Sequence, residues 1–266
     1  MGLLAIVTFA LSAGTLNAET SIKCATTTSL QNSGLLDYIL PLYKKKTGIR
    51  VDAVAVGTGA AIEIGKRGDA DFVFVHAKEL ELKAVQDGYF INRMEFMYND
   101  FIIVGPANDP AKIKGIKAAS ESFEKISKSG SLFISRGDNS GTHVKELSIW
   151  KESGINPKEQ SWYLEAGQGM SKTLRLAFEK YAYTLTDRST WLMSREKQEL
   201  LLLLEGDPIL INHYSVMAVN PEKNPTAKYK EAMEFINWVT SKEGTDAIRE
   251  FKDKAGNQLF YIIEKH

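Results

Sequence analysis

Short apolar runs alternate with amphipathic helical segments along this chain from Ser21 onward. This order is typical of an α/β protein, in which helices cover both faces of a largely parallel sheet. The runs that we assign to strands include residues 21–26, 49–56, 71–75, 132–135 and 182–186. Open α/β sheets bind ligands at the carboxyl ends of their strands. The pattern therefore predicts both a fold class and the edge of the sheet that should carry a site.

The order of the segments predicts two lobes, each a mostly parallel sheet flanked by helices. Residues 93–98 and 101–105 are two extended runs, and the turn-forming pair Asn99-Asp100 separates them. The strand and helix pattern restarts after Pro106, and residues 213–219 alternate like a strand that returns to the first unit. We therefore expect one lobe from residues 19–99 and 213–266 and a second from residues 100–212, connected near Asn99-Asp100 and Asn212-His213.

The charge balance limits the class of ligand. Lysine plus arginine number 33, aspartate plus glutamate also number 33, and the net charge is zero. A chain with no overall positive field has no general affinity for nucleic acid or for an anionic membrane. Affinity for an anion must then come from a local set of donors, so the ligand should be small.

The first 18 residues predict export. Residues 1–18 carry no charge, contain an apolar run and end in Leu16-Asn17-Ala18, which suggests a secretory signal peptide cleaved after Ala18. A membrane-spanning helix would need about 20 apolar residues. The mature chain is therefore expected to be periplasmic or otherwise extracytoplasmic. Cys24 is the single cysteine, and we expect it to be a buried side chain on the first strand.

Three predicted strands end in turns of similar chemistry. Each turn combines hydroxyl groups or an arginine with glycine or small residues at a helix start: Thr27-Thr28-Ser29, Thr58-Gly59, and Arg136 with Ser140-Gly141-Thr142. Hydroxyls and the free amides of a helix start are donors, and glycine lets the backbone approach a ligand. One such turn is usually only an N-cap. Three of them at strand ends predict a donor-rich cage for an anion.

A cage of donors suits a tetrahedral dianion without protons, because such an ion offers only acceptors. Arg136 adds a permanent positive charge and strong, charge-assisted hydrogen bonds. Hydrogen phosphate carries a proton that needs an acceptor, which Asp138 or Asp187 could supply. The residues favour an unprotonated oxyanion and leave phosphate as an alternative.

Evidence for catalysis is weak. Residues 137–141 resemble the nucleophile loop of trypsin-like proteases, but Asn139 interrupts the order. Gly57-Thr58-Gly59 lacks the lysine and spacing of a nucleotide loop. No cluster has metal-ligand spacing, and the histidines are too scattered to nominate a base: His76, His143, His213 and His266. We therefore expect a protein that is not an enzyme and has no catalytic residues, cofactor or bound metal ion. The tryptophans lie in apolar surroundings and are expected in the core.

As a set, several short motifs closely resemble the family of tungstate-binding TupA proteins, the extracytoplasmic solute receptors of ABC importers. The match runs from about Ser21 to Phe260 in the family's order. The motifs are Thr26-Thr27-Thr28-Ser29, Val56-Gly57-Thr58-Gly59, Gly68-Asp69-Ala70-Asp71, Tyr98-Asn99-Asp100-Phe101, residues 135–143, Trp162-Tyr163, Gly167-Gln168-Gly169-Met170, residues 183–188 and Glu205-Gly206-Asp207-Pro208.

The resemblance implies a type II periplasmic-binding-protein fold and a monomer that holds tungstate, or alternatively molybdate, in the cleft between its lobes. It also implies delivery of the ion to an ABC permease and its ATPase. Carried over by position, the resemblance puts the ligand-binding residues at Thr27, Thr28, Ser29, Thr58, Gly59, Arg136, Ser140, Gly141 and Thr142, with Gly169 and Met170 as weaker candidates. The family's arginine is thought to separate tungstate from molybdate and sulfate.

Three other functions are alternatives to this one. A sulfate or phosphate receptor would use the same donors. An enzyme on the same bilobed fold, like hydroxymethylbilane synthase, carries its cofactor on a cysteine, and Cys24 is the only candidate. The effector-binding half of a transcription regulator conflicts with an export signal and lacks a helix-turn-helix segment.

Overall fold

The computed structural model describes residues 19–194 and 200–264. The predicted signal peptide, residues 1–18, lies outside the described residues and stays a prediction. The strands are β1 (Ser21–Thr27), β2 (Arg50–Val56), β3 (Phe72–Val75), β4 (Phe90–Gly105), β5 (Phe133–Ser135), β6 (Tyr163–Glu165), β7 (Thr184–Asp187), β8 (Leu201–Leu204), β9 (Ile211–Val219) and β10 (Tyr261–Ile262). The helices are α1 (Thr28–Asn32), α2 (Leu35–Thr47), α3 (Thr58–Lys66), α4 (Lys78–Gln86), α5 (Ala119–Ser129), α6 (Gly141–Glu152), α7 (Met170–Glu179), α8 (Arg188–Met193), α9 (Tyr229–Val239) and α10 (Lys242–Glu250). Within those described ranges, every helix is too short or too polar to cross a membrane.

The first lobe is built on a mixed sheet with the strand order β10-β4-β9-β3-β1-β2. β1 pairs in parallel with β2 and β3, whereas β9 pairs antiparallel with β3 and β4. α2, α9 and α10 contribute to the apolar core on one face, and α3 and α4 to a separate core on the other. Cys24 is buried in β1, as expected. The α/β class is confirmed, but the sheet is mixed and not mostly parallel as expected. The antiparallel pairs join β9 and β10 to strands far earlier in the sequence, which the local alternation of strands and helices does not reveal.

The second lobe is arranged around the C-terminal part of β4, which pairs antiparallel with β7 and β8. β5 pairs in parallel with β6 and makes one parallel bridge, between Phe133 and Tyr183. α5 and α6 bury Phe123 and Trp150 in one core, and α7 and α8 bury Leu174 and Trp191 in another. All four tryptophans of the chain are buried, which confirms the expectation that they belong to the core.

β4 is one continuous strand that passes through both lobes. The predicted turn at Asn99-Asp100 is therefore wrong. Asn99 and Asp100 pair with Asn212 and Ile211 of β9, and this ladder satisfies their backbone groups, so the local turn preference of the two residues is overridden. From Phe101 onward β4 pairs with β7 instead of β9. The two lobes are joined where these neighbouring strands leave one sheet for the other.

Candidate functional site

The first lobe brings two of the predicted turns together at the carboxyl ends of β1 and β2. Thr27 and Val56 are register partners in this parallel pair, so the segments that follow them start side by side. Thr27 caps α1, because its hydroxyl accepts a hydrogen bond of 3.2 Å from the Leu30 amide. Gly57 precedes α3, whose first residue is Thr58. The amide-rich starts of two helices therefore share one edge of the sheet.

The second lobe supplies the loop between β5 and α6. Gly137 has a φ of +59°, and a Cβ there would lie 2.6 Å from the Glu165 side chain, so the loop requires glycine. Ser140 caps α6 by accepting a 3.2 Å hydrogen bond from the His143 amide. The Asn139 amide donates to Nδ1 of His143 at 3.1 Å. Burial lowers the pKa of His143, which keeps the ring neutral at pH 7 and able to accept this bond. The loop is thus held by its own hydrogen bonds.

The turns of the two lobes face each other closely. A Cβ added to Gly57 would come within 3.4 Å of the Asp138 carbonyl oxygen, and one added to Gly59 within 3.5 Å of the Asn139 carbonyl oxygen. A Cβ on Gly169, the cap of α7, would lie 3.7 Å from the Thr28 hydroxyl. The starts of α1, α3, α6 and α7 therefore gather at one place between the lobes.

The side chain of Arg136 reaches from the second lobe to the first and is 2% exposed. Its Nη2 donates to Oγ1 of Thr28 at 3.2 Å and to the carboxylate of Asp138 at 2.5 Å. Its Nη1 donates to Oγ of Ser29 at 3.4 Å, and its Nε is buried without a partner among the described residues. A buried guanidinium with one carboxylate partner and a free donor is suited to hold an anion.

Two threonine hydroxyls at the same place are also without partners. Oγ1 of Thr58 and Oγ1 of Thr142 are buried, and neither has a hydrogen-bond partner within the described part of the chain. Leaving a buried polar group unsatisfied costs about 1–3 kcal/mol. Both residues lie in the first turn of a helix, α3 and α6. An oxyanion would satisfy these hydroxyls together with the helix amides.

All the predicted ligand-binding residues lie at these turns, and their present roles differ. They are helix caps (Thr27, Ser140), partners of the guanidinium (Thr28, Ser29), the guanidinium itself (Arg136), unpartnered hydroxyls (Thr58, Thr142) and closely approached backbone (Gly59, Gly141). Contact of each with an anion stays a prediction. Among residues 19–194 and 200–264, no group of three or more His, Cys, Asp or Glu side chains could hold a metal ion.

His76 is a residue of this region that spacing in the sequence does not reveal. A Cβ on Gly141 would lie 2.6 Å from its ring, so His76 packs directly against the start of α6. Burial lowers the pKa of His76 to about 4 and Arg136 adds to the effect, so the ring is neutral at pH 7. His76 follows β3 directly, and this position at the end of a central strand is the signal that could have found it.

Asp187, at the end of β7, is another buried titratable group near Arg136. Its Oδ1 accepts hydrogen bonds from Oγ of Ser189 at 2.5 Å and from the Thr190 amide at 2.8 Å. Its Oδ2 is buried with no partner among the described residues. Burial raises the pKa of Asp187, and the nearby Arg136 opposes that shift.

This chain is similar in sequence to proteins of known function. A family model described as the PBP superfamily domain matches residues 13–243. The tungstate-binding protein TupA of Peptoclostridium acidaminophilum is 47% identical over 249 residues, covering 91% of this chain and 86% of the relative. The chain belongs to the TupA family of the PBP superfamily. TupA of Campylobacter jejuni subsp. jejuni is 43% identical over 240 residues, covering 89% of this chain and 88% of the relative.

A solved structure, the tungstate ABC transporter from Geobacter sulfurreducens, has a TM-score of 0.81 and 51% identity and covers 88% of this chain and 100% of that one. The fold class and the resemblance to TupA proteins are confirmed. These relatives are binding proteins, so the expectation that the chain is not an enzyme is confirmed as well. Burial raises the pKa of the Cys24 thiol, which makes it a poor site for a covalently attached cofactor.

Proposed function

We propose that this chain is an extracytoplasmic receptor that captures tungstate between its lobes and delivers it to the permease and ATPase of an ABC importer. The observation that carries the proposal is the buried Arg136, which joins the loop of one lobe to Thr28 and Ser29 of the other. A ligand bound to both lobes would stabilise their closed arrangement further. Relatives that share most of their length with this chain are tungstate-binding proteins.

The donors favour an anion without protons. Oδ2 of Asp138 accepts from Arg136, and Oδ1 accepts from the Ser140 amide at 3.1 Å. Because both oxygens are engaged, Asp138 is poorly placed to accept the proton of hydrogen phosphate. Asp187, whose Oδ2 has no partner among the described residues, is then the one remaining acceptor of the two, and titration with phosphate tests it. Molybdate is the second candidate ligand, since it is a tetrahedral dianion that offers the same acceptors.

The site is built from both lobes of a single chain, which supports a monomeric receptor. We assign residues 19–99 and 213–266 to the first lobe and residues 100–212 to the second, because β4 exchanges β9 for β7 after Asp100. Export through residues 1–18 would bring the receptor to the side of the membrane from which an importer takes its substrate.

Calorimetric titration of the purified chain with tungstate, molybdate, sulfate and phosphate tests the proposal. We expect tight binding of tungstate with one site per chain and weaker binding of sulfate and phosphate. Arg136→Ala should weaken tungstate binding by about 100-fold, because a hydrogen bond to a charged group contributes about 1.5–3 kcal/mol. Arg175→Ala is the matched control, since that arginine is exposed and pairs with Glu179. Unchanged binding by Arg136→Ala, or tight binding of sulfate or phosphate without tungstate, would overturn the proposal.

A further inference from the structure

A chain of buried polar side chains crosses the junction between the lobes. Nδ1 of His76 lies 3.0 Å from Oδ1 of Asn212, and Nδ2 of Asn212 donates to Oδ1 of Asn99 at 2.8 Å. Nδ2 of Asn99 donates to Oγ of Ser189 at 3.1 Å, and that hydroxyl donates to Asp187 at 2.5 Å. Each of the five residues is at most 5% exposed. These residues are called the junction chain below.

Every link of the junction chain has one defined donor. Oδ1 of Asn212 is a carbonyl oxygen and only accepts, so Nδ1 of His76 carries the proton of the neutral ring. The amide of Asn212 donates onward to Asn99, and the amide of Asn99 donates onward to Ser189. Hydrogen bonds that run in one direction polarise one another in a low-dielectric interior. The junction chain therefore favours one arrangement of its five side chains.

The side chain of each asparagine contacts the other lobe. They are register partners on β4 and β9, at the point where these strands pass between the lobes. The side chain of Asn99 contacts Ser189 of the second lobe. The side chain of Asn212 contacts His76 and the Tyr214 hydroxyl, both in the first lobe. A rotation of the lobes about β4 and β9 must change these contacts.

Both ends of the junction chain lie near the anion-binding turns. His76 packs on Gly141 at the start of α6. Arg136 is close enough to His76 and Asp187 to influence the charge of each. The two asparagines themselves belong to none of the three turns.

We infer that Asn99 and Asn212 are positioning residues that hold the two lobes at the angle at which the anion-binding turns meet. This inference rests on the proposed function, because its consequence is a higher affinity for the captured anion. A receptor that spends more time open must first close, and its apparent affinity falls by the fraction of molecules that are closed.

The experiment uses the full mature chain in four forms: wild type, Asn99→Leu, Asn212→Leu and the double variant. Asn237→Leu is the matched control, since Asn237 is exposed on α9. Spin labels at Lys45→Cys and Lys128→Cys, both exposed and one in each lobe, report the interlobe distance in buffer without oxyanion. Calorimetry with tungstate reports affinity, and urea unfolding reports stability.

Each leucine substitution should lengthen or broaden the label distance without oxyanion and weaken tungstate binding by about tenfold, the equivalent of about 1.4 kcal/mol. The double variant should lose little more tungstate affinity than either single variant, because each single substitution already breaks the junction chain. Unchanged label distances would overturn the inference, whether or not affinity or stability falls. If the wild type binds no tungstate, the proposed function fails, and the label distances still decide the inference.

Discussion

At the scale of single residues, some hydroxyl groups of the site have hydrogen-bond partners among the described residues and others have none. Thr27 and Ser140 use their hydroxyls to cap helices, so substitution there changes helix stability as well as any ligand contact. Thr58 and Thr142 make no hydrogen bond through their side chains within the described ranges. Stability and binding can therefore be separated at Thr58 and Thr142.

Thr58→Val and Thr142→Val should weaken tungstate binding while leaving the free energy of unfolding of the unliganded chain unchanged or higher. Valine has nearly the shape of threonine and removes a buried hydroxyl that lacks a partner, so the folded state loses no hydrogen bond. Each hydroxyl should contribute about 0.5–1.5 kcal/mol to binding, a loss of up to about tenfold. Calorimetry and urea unfolding of each variant provide the two measurements.

Thr184→Val is the control for these two substitutions. Its hydroxyl is equally buried but donates to the Ile134 carbonyl at 2.7 Å. The control should lose about 1 kcal/mol or more of unfolding free energy, because the carbonyl is left without this donor. Thr58→Val or Thr142→Val behaving like the control would show that those hydroxyls are needed by the fold rather than by the ligand.

At the scale of elements, α6 organises the second half of the site. Its cap Ser140, its first residue Gly141 and its buried Glu146 lie in succession along the helix. Oε1 of Glu146 accepts from the Tyr163 hydroxyl at 2.7 Å and from the Trp150 ring nitrogen at 3.1 Å. The helix is thereby fixed to the second lobe, and its start is offered to the first lobe.

Gly141→Ala should weaken tungstate binding by about tenfold or more while the second lobe stays folded. A Cβ there would lie 2.6 Å from the His76 ring and 2.9 Å from its carbonyl oxygen, so α6 and the first lobe must move apart. Overpacking of this kind costs about 1–3 kcal/mol. Ser148→Ala, at an exposed position on the same helix, is the matched control. Equal affinities of the two variants would contradict this account of the close contact.

Glu146→Gln should change how stability depends on pH. Burial raises the pKa of Glu146 from 4.5 to about 7, so between these values the folded state holds a proton that the unfolded state has lost. The contribution of Glu146 is fully present below pH 4.5 and falls as pH rises through about 7. Wild type should therefore lose stability relative to Glu146→Gln by at most about 1.4 kcal/mol per pH unit.

Urea unfolding at several pH values between the two pKa values of Glu146 measures this difference. The lowered pKa of His76 gives a slope of the opposite sign, and it cancels when variant and wild type are compared. Glu152→Gln, an exposed position on the same helix, is the control. Parallel stability profiles for wild type and Glu146→Gln would show that Glu146 does not change its protonation on unfolding.

At the scale of the whole molecule, the continuous β4 places both lobes in one cooperative unit. Calorimetric unfolding of the mature chain should show a single transition, and tungstate should move it to higher temperature without splitting it. At a free tungstate concentration about 1000 times the dissociation constant, the stabilisation is about 4 kcal/mol. Two separate transitions, only one of them shifted by tungstate, would contradict shared unfolding through β4.

The sequence predicts features that depend on neighbouring residues, and it does not predict features that depend on contacts between residues far apart in the sequence. Thr27 and Ser140 are recognisable because caps and strand ends lie within a few residues of each other. The continuity of β4 cannot be predicted locally, because Asn99 and Asp100 by themselves favour a turn. Their pairing with Asn212 and Ile211, more than a hundred residues later, makes them part of a strand. The contact of His76 with Gly141 also joins residues that are far apart in the sequence, more than sixty positions. The turns of the candidate site could therefore be found, but not the way in which the lobes are joined.

The pairing of Asn99 with Asn212 has a consequence for how such a protein can be taken apart. Antiparallel register partners lie about 5 Å apart at their Cα atoms. The segment between them, residues 100–211, therefore begins and ends at neighbouring positions in the sheet. A two-residue hairpin turn can bridge that distance. Replacing residues 100–211 by such a turn, or by the same segment of a relative, would accordingly keep the register of β4 and β9 from Phe90–Val219 to Asn99–Asn212.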